Sequence, residues 1–389
     1  MSEMSYLEKL LDGVEVEWLP LGEITKYEQP TKYLVKAKDY HDTYTIPVLT
    51  AGKTFILGYT NETHGIYQAS KAPVIIFDDF TTANKWVDFD FKAKSSAMKM
   101  VTSCDDNKTL LKYVYYWLNT LPSEFAEGDH KRQWISNYSQ KKIPIPCPDN
   151  PEKSLAIQAE IVRILDKFTE LTAELTAELT AELNMRKKQY NYYRDQLLSF
   201  EEGEVEWKTL GDLGENLDSK RKPITSGLRE AGSIPYYGAS GIVDYVKDYI
   251  FDGDFLLISE DGANLLARNT PIAFSISGKS WVNNHAHVIK FDSYAERRYV
   301  EYYLNSIDLS PYISGAAQPK LNKKNLESIR IPNPSPEDKE RIVSILDKFD
   351  ALTNSINEGL PREIELRQKQ YEHYRDLLFS FPKPEAASN

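Results

Sequence analysis

The chain has 389 residues, of which 41% are hydrophobic and 27% charged, and its formal net charge is −11. This length allows two domains of ordinary size, while no apolar run approaches the roughly 18 residues of a membrane span, so we expect a cytoplasmic protein without membrane contact. Its two cysteines, Cys104 and Cys147, lack paired spacing, which excludes a disulfide framework and a zinc module.

Residues 1–13 resemble the tail of a helix whose body lies elsewhere in the chain. Within them, residues 6–11 are similar to two later helix endings, at residues 193–198 and 374–379. We therefore expect the two ends of the chain to meet in space, in a pseudo-two-fold and almost circular arrangement.

Residues 14–149 form the first predicted globular domain. A β-rich run at 74–77, a predicted helix at 110–120 and a closing strand at Ile145-Pro146 indicate an α+β domain with a mainly antiparallel sheet. Residues 87–91 alternate apolar and acidic side chains, as a half-buried strand would.

Residues 150–200 are predicted to be one long helix. Asn150-Pro151 places an N-cap residue before proline at the first helical position. Because no proline or glycine occurs between residues 154 and 199, the helix should extend for roughly 65 Å. Its middle repeats the tetrapeptide Thr-Ala-Glu-Leu three times in tandem, over residues 172–183.

The second globular domain is predicted at residues 201–334. It carries β-rich runs at 255–258 and 286–289, separated by glycine-containing turn signals, and a predicted helix at 295–306. This composition predicts the same α+β class as in the first domain.

A second long helix is predicted at residues 335–381, followed by a flexible tail at 382–389. Ser335-Pro336 again combines an N-cap residue with proline. Gly359-Leu360-Pro361 predicts a break within this helix, because proline removes a helical hydrogen bond.

The chain is a duplication of globule plus long helix, because its segments recur in matching order. The matching pairs are residues 161–168 with 342–349, residues 188–198 with 369–379, and residues 16–24 with 205–213. In both helices the apolar residues recur at three- and four-residue spacing, which favours an antiparallel coiled coil. Two separate amphipathic helices, each on its own globule, are the alternative.

These features together resemble the specificity subunit of a Type I restriction-modification system. The motifs that carry the resemblance are the openings at Trp18 and Trp207, residues 315–322, and the Thr-Ala-Glu-Leu repeats of one subfamily. The first domain departs from that motif at residues 129–135. The resemblance implies an α+β fold in which two pseudo-symmetric α/β target recognition domains are joined by two long antiparallel coiled-coil helices.

The same resemblance implies the function and the partners. Each recognition domain would read one half of a split sequence in double-stranded DNA. Two modification (methyltransferase) subunits and two motor-nuclease restriction subunits would complete the complex. S-adenosylmethionine, ATP and Mg would bind those partners, with no cofactor, metal or catalytic residue in this chain. The sequence itself contains no P-loop, amino-methyltransferase motif or glycine-rich nucleotide turn.

The tandem repeat is predicted to act as a ruler between the half-sites. One repeat adds about 6 Å and about 40° of helix, whereas one base pair of DNA adds about 3.4 Å and about 34°. Because the rotations match, we expect one repeat to correspond to one base pair of unread spacer. A replication-slippage scar in a tolerant helix is the alternative. The predicted ruler residues are Thr172, Leu175, Thr176, Leu179, Thr180 and Leu183.

Candidate DNA contacts lie in basic clusters of the globular domains, because lysine and arginine neutralise phosphates and bidentate side chains read base edges. For any single one of these residues, a solvated position on the surface is as good an interpretation as a DNA contact. In the first domain they are Lys26, Lys32, Lys36, Lys53, Lys131 and Arg132. In the second they are Lys220, Arg221, Lys222, Arg268, Lys279, Gln318, Lys320, Asn322, Lys323 and Lys324.

Two other functions compete with DNA recognition. Asp78 or Asp79 followed by Asp90 and Lys92 loosely matches the core of a stand-alone metal-dependent nuclease. A purely structural coiled-coil scaffold is the other alternative. His285-Ala286-His287 places two imidazoles on one face of a strand, but no third ligand is near in sequence, so we expect no metal site there.

Overall fold

The computed structural model describes residues 6–36, 40–52, 54–122, 132–315, 318–355 and 359–383. The chain divides into two compact units, each of which is described by itself. Unit 1 comprises residues 1–178 and 364–389, and unit 2 comprises residues 179–363. Within the described ranges, no helix combines the length and the apolar character needed to cross a membrane.

The longest helix is α5, which covers 48 residues and contains the tandem repeats. In chain order the helices are α1 (Tyr6–Leu11), α2 (Leu21–Ile24), α3 (Leu111–Leu118), α4 (Gln133–Ser136), α5 (Pro151–Leu198), α6 (Leu210–Leu213), α7 (Asn264–Ala267), α8 (Tyr294–Ser306), α9 (Lys323–Glu327), α10 (Pro336–Asn354) and α11 (Gly359–Leu378).

The strands are short and fall within the two globular domains. Those of unit 1 are β1 (Val16–Pro20), β2 (Thr25–Glu28), β3 (Ile46–Leu49), β4 (Ile56–Thr60), β5 (Val74–Asp78), β6 (Asn84–Val87), β7 (Lys92–Ala93), β8 (Met98–Ser103) and β9 (Lys142–Pro146). Those of unit 2 are β10 (Glu206–Thr209), β11 (Glu215–Asn216), β12 (Ala231–Gly238), β13 (Gly241–Val246), β14 (Phe251–Ser259), β15 (Ala273–Val282), β16 (Ala286–Lys290) and β17 (Arg330–Asn333).

In unit 1 the core lies around β5, whose five residues are all buried. A four-stranded sheet has the order β2-β8-β5-β6, and a three-stranded sheet has the order β4-β3-β7. Leu7 and Leu11 of α1 belong to the same hydrophobic cluster as Phe379 and Phe381 near the other end of the chain. The Trp18 indole also donates a hydrogen bond to the Pro382 carbonyl (2.9 Å). The predicted meeting of the two chain ends is therefore confirmed.

In unit 2 a six-stranded sheet has the order β11-β16-β14-β15-β12-β13. All neighbouring strands of this sheet are antiparallel except β12 and β15, which are parallel. The core joins this sheet to α8 and α10, through residues such as Leu256, Tyr299 and Leu346. The predicted α+β class with a mainly antiparallel sheet is thus confirmed.

Each unit contains an antiparallel pair of helices, as the apolar spacing predicted. In unit 1 the ring of Phe168 on α5 stacks on Tyr374 of α11, with centroids 5.2 Å apart and planes 4° apart. In unit 2 Phe349 of α10 stacks on Tyr193 of α5, at 5.7 Å and 27°. Phe168 and Phe349 are equivalent in the sequence repeat, and so are Tyr374 and Tyr193. The duplication therefore extends to individual contacts.

The local signals for helix ends agree with the structure. The Asn150 and Ser335 side chains accept hydrogen bonds from the amides of Lys153 (3.0 Å) and Asp338 (3.1 Å), which caps α5 and α10. The break predicted in the second long helix separates α10 from α11.

The strand predicted over residues 87–91 is wrong. β6 ends at Val87, and Asp88 and Phe89 are exposed in the turn that follows. Alternation over five residues does not supply the cross-strand hydrogen bonds on which a strand depends.

Candidate nucleic-acid interface

Backbone hydrogen bonds gather four segments of the second domain beside the end of β14. The Leu321 amide donates to the Glu260 carbonyl (2.7 Å), and the Glu260 amide donates to the His285 carbonyl (2.9 Å). The Gly262 amide donates to Pro319 (3.3 Å). The Ser259 hydroxyl donates to Ala239 in the β12–β13 turn. Residues 318–322 are thereby fixed against the end of β14.

Five ionisable residues come together here, one of them (Lys320) from the segment itself, and we call them the second-domain charge cluster: Asp218, Arg221, Glu260, His287 and Lys320. Arg221 contacts Glu260 at 2.6 Å and Asp218 at 3.2 Å, and the Lys320 ammonium lies 3.0 Å from Glu260. The imidazole of His287 is fully buried and lies 2.6 Å from Asp218 through Nδ1. Lys320 is the cluster member with half of its side chain (51%) exposed.

The electrostatics keep both carboxylates of this cluster ionised. Burial raises the pKa of Asp218, but the hydrogen bond from His287 and the nearby positive charges outweigh burial, so its pKa lies below the ordinary value. Burial likewise raises the pKa of Glu260, and the contacts with Arg221 and Lys320 lower it further than burial raises it. The network is therefore a set of buried ion pairs.

Asp218, Glu260 and His287 also place their potential ligand atoms within 4.8 Å of one another. His287 Nε2 lies 2.7 Å from the Leu321 carbonyl oxygen, which can only accept, so Nε2 carries a proton. Nδ1 lies 2.6 Å from the Asp218 carboxylate. Both ring nitrogens are thus engaged by protein groups, so these three residues are better suited to hydrogen bonding within the protein than to metal binding.

A smaller set of charges lies at the end of β5 in the first domain. We call Asp79, Lys99 and Arg132 the first-domain charge cluster. Asp79 and Lys99 are both almost fully buried, and their charged atoms lie 3.3 Å apart. Arg132 is half exposed and lies 4.0 Å from the same carboxylate. The Asp79 carboxylate also accepts a hydrogen bond from the Trp134 amide (2.8 Å).

Comparison with known proteins accounts for both domains. The family model described as "Type I restriction modification DNA specificity domain" matches residues 13–185 and 202–366. The chain belongs to this family. It supplies DNA sequence specificity, which is a non-catalytic role.

Relatives of the same kind cover the whole chain. The specificity subunit of the Type I restriction enzyme EcoR124I/EcoR124II from Escherichia coli is 68% identical over 412 residues, with all of both chains covered. The EcoprrI specificity subunit, also from Escherichia coli, is 39% identical over 398 residues, covering 92% of this chain and 93% of that protein.

Two solved structures have the same fold. The S subunit of a Type I restriction-modification system from M. genitalium has a TM-score of 0.51 at 16% identity, covering 98% of this chain and 100% of its own. A chain from a study of complex assembly and conformational transition in the type I R-M system has a TM-score of 0.55 at 15% identity. The match covers 94% of this chain and 97% of that one.

The nuclease alternative is not supported in this family member. Asp78 accepts hydrogen bonds from the amides of the following turn, and Asp90 accepts from Ser70. The Lys92 ammonium is buried against Glu62 and the His64 carbonyl. Each of these side chains is thus held in a local structural contact instead of facing a shared metal position.

The predicted first-domain contacts that the structure describes are scattered over its surface. Lys26 is exposed on β2, Lys32 is exposed and paired with Glu28 (3.0 Å), and Lys36 is exposed. Lys53 and Lys131 lie outside the described residues. Among the predicted contacts of this domain that the structure describes, Arg132 is the one that belongs to the first-domain charge cluster.

The predicted second-domain contacts divide into two groups. Those near the charge cluster, besides its own members Arg221 and Lys320, are Lys220, Lys222, Gln318, Asn322, Lys323 and Lys324. Asn322 caps α9 by accepting from the Asn325 amide (3.0 Å). Lys279, by contrast, lies on β15 over the Tyr249 ring, and Arg268 is half-buried with its guanidinium against Asn305. Burial lowers the pKa of Arg268.

Sequence reasoning missed Asp79, Lys99, Asp218, Glu260 and His287 as parts of the interface. Each is isolated in the sequence, and only strand pairing brings them together. A usable signal was nevertheless present in the sequence. Asp79 and Glu260 each follow four apolar residues and one polar residue, which is the pattern of a buried strand that ends in polar side chains.

Proposed function

We propose that this specificity subunit reads a split, asymmetric sequence in double-stranded DNA, one half-site per domain. The observation that carries the proposal is the presence, in each domain, of a half-exposed cation beside a buried carboxylate, namely Arg132 beside Asp79 and Lys320 beside Glu260. Arginine and lysine neutralise phosphates, and they also read guanine edges directly in the major groove. The predicted contact residues given above are part of this proposal.

We also propose that catalysis belongs to partner subunits. Two modification subunits would supply adenine methylation with S-adenosylmethionine, and two motor-nuclease subunits would supply restriction with ATP and Mg. The relatives' names, which call them specificity subunits of restriction enzymes, support this division. A net charge of −11 is consistent with it, because an acidic chain needs clustered basic residues or a partner's positive surface to bind DNA.

The central helix would set the length of the unread spacer. Leu175, Leu179 and Leu183 recur every four residues along α5 and are half-buried. Since four residues overshoot one helical turn by about 40°, each repeat advances the angular position by about one base-pair step. Facing the correct groove is the stricter requirement, because a domain turned away from the groove loses its base contacts.

The first experiment is a map of methylated adenines in cells that co-express this chain with its modification subunit. We expect a motif of two short defined halves around an unread spacer of fixed length. Cells expressing the modification subunit alone are the control and should lack the motif. Methylation without a motif, in the presence of both subunits, would contradict the proposed function.

A further inference from the structure

The two charge clusters occupy equivalent positions in their domains, although their residues differ. In the first domain Phe77 of β5 pairs with Lys99 of β8. In the second, Ile258 of β14 pairs with His287 of β16. Asp79 lies two residues after Phe77 in the chain, and Glu260 lies two residues after Ile258. In both domains a buried basic side chain on one strand thus lies near a buried carboxylate at the end of its neighbour, at 3.3 Å for Lys99 and Asp79 and at 3.8 Å for His287 and Glu260.

The same main-chain contact attaches a loop to each carboxylate residue. The Gln133 amide donates to the Asp79 carbonyl (2.8 Å), and the Leu321 amide donates to the Glu260 carbonyl (2.7 Å). In both cases the residue just before the donor is the half-exposed cation of the cluster. Arg132 of the first domain and Lys320 of the second are therefore structurally equivalent.

The exposure of these two cations is also the same. The side chain of Arg132 is 52% exposed, and that of Lys320 is 51% exposed. Their carboxylate partners, by contrast, are 1% and 10% exposed. One face of each cation is therefore held by a buried anion, while the other face is open to a ligand of opposite charge.

We infer that both domains carry one and the same loop anchor, in which Asp79–Lys99 and Glu260–His287 position Arg132 and Lys320 as equivalent DNA contacts. Asp79, Lys99, Glu260 and His287 are positioning residues, because the cations would touch the DNA and the buried pairs would act through them. This inference rests on the proposed function, and it adds which residues fix each reading loop.

The energetics of burial indicate that these buried charges position neighbouring residues and add little to the stability of the fold. A buried ion pair gains little net stability, because desolvation of both charges offsets their attraction. Its better-attested effect is to select one arrangement of the chain. In the first domain, Asp79 Oδ2 and Lys99 Nζ are buried without a hydrogen-bond partner among the described residues. Such an arrangement is costly as a source of stability alone.

Four single variants test the inference in the complex with the modification subunit. The cation variants are Arg132→Ala and Lys320→Ala, and the anchor variants are Asp79→Asn and Glu260→Gln. Binding is measured on DNA in which either half-site is scrambled, beside the intact target found by methylation mapping. We expect each variant to lower discrimination about tenfold at the half-site read by its own domain, with the other half unchanged.

Double variants separate positioning from general stability. Adding Asp79→Asn to Arg132→Ala should lower discrimination little further, because both changes act through one contact. Adding Asp79→Asn to Lys320→Ala should give both losses in full, each at its own half-site, because the changes act on different half-sites. Asp90→Asn is the matched control, since its carboxylate contacts Ser70 in the same domain, and it should leave both half-sites unaffected.

The paired variant Asp79→Asn/Lys99→Met guards against misfolding, because it leaves no lone buried charge. It should reproduce the loss of Asp79→Asn at one half-site, with an unfolding temperature close to that of the unchanged protein. Equal losses at both half-sites, full additivity of Asp79→Asn with Arg132→Ala, or no loss at all would overturn the inference. An unchanged protein that gives no split motif would instead refute the proposed function.

Discussion

Asp218 shows how a buried carboxylate stays ionised within the second-domain charge cluster. Folding lowers its pKa below the ordinary value of 3.8, so its ionised form stabilises the fold above that pH. We expect Asp218→Asn to lower the free energy of unfolding by about 2 kcal/mol at neutral pH, because His287 loses a buried partner. The difference should shrink as the pH falls below 3.8 and Asp218 becomes protonated. Urea denaturation at a series of pH values measures it.

Asp252→Asn is a suitable control for this titration, because Asp252 lies exposed on β14 of the same sheet. It should change the free energy of unfolding by less than about 0.5 kcal/mol. If the gap between Asp218→Asn and the unchanged protein widened with falling pH, our assignment of the ionised carboxylate would be wrong.

Gly359 permits the break that separates the two parts of the second long helix. Its backbone has φ of +77°, and an added Cβ would lie 2.5 Å from the Ala351 carbonyl oxygen and 2.6 Å from that of Leu352. We expect Gly359→Ala to destabilise the protein by about 2 kcal/mol or more, because strain and collision combine. Thermal unfolding measures the effect.

Gly203→Ala separates strain from collision. Gly203 also has positive φ (+97°), but an added Cβ would meet no described atom within 4 Å. This variant should cost about 1 kcal/mol, the contribution of backbone strain alone. Equal effects of the two alanine variants would show that the collision at Gly359 is relieved by a shift of the chain.

The tandem repeat makes the spacing of the two half-sites testable at the level of one helix. We expect deletion of residues 176–179 to shorten the unread spacer by one base pair and to leave both half-sites unchanged, because about 40° of helix rotation matches one base-pair step. Methylation mapping of the deletion variant measures the spacer. Glu178→Ala keeps the helix length and should keep the spacer, whereas an unchanged spacer in the deletion variant would refute the ruler.

At the level of the whole molecule, the acidic net charge of −11 opposes DNA binding by the chain alone. We expect the modification subunit to raise affinity for the split target and to steepen the dependence of log K on log salt, because added phosphate contacts release more counterions. Fluorescence anisotropy between about 50 and 200 mM salt measures both. An unchanged salt slope on adding the modification subunit would show that this chain already makes the phosphate contacts.

Several parts of the fold followed from local sequence signals. The bounds of α5 were set by Asn150-Pro151 and by a long stretch without proline or glycine, since capping and helix propensity act over a few neighbouring residues. The equivalence of Phe168 and Phe349 followed from the internal repeat. The interface was less predictable, because a lysine in the sequence does not show whether it is exposed, ion-paired or buried.

The sequence by itself determined the duplication, the two long helices and the family of this protein, because repeats and periodic apolar residues are properties of the chain alone. Only the tertiary structure placed Lys99 against Asp79 and His287 between Asp218 and Glu260, and so made Arg132 equivalent to Lys320. These pairs differ in residue type and are far apart in sequence. Strand register and burial, which depend on the whole domain, decide that they meet.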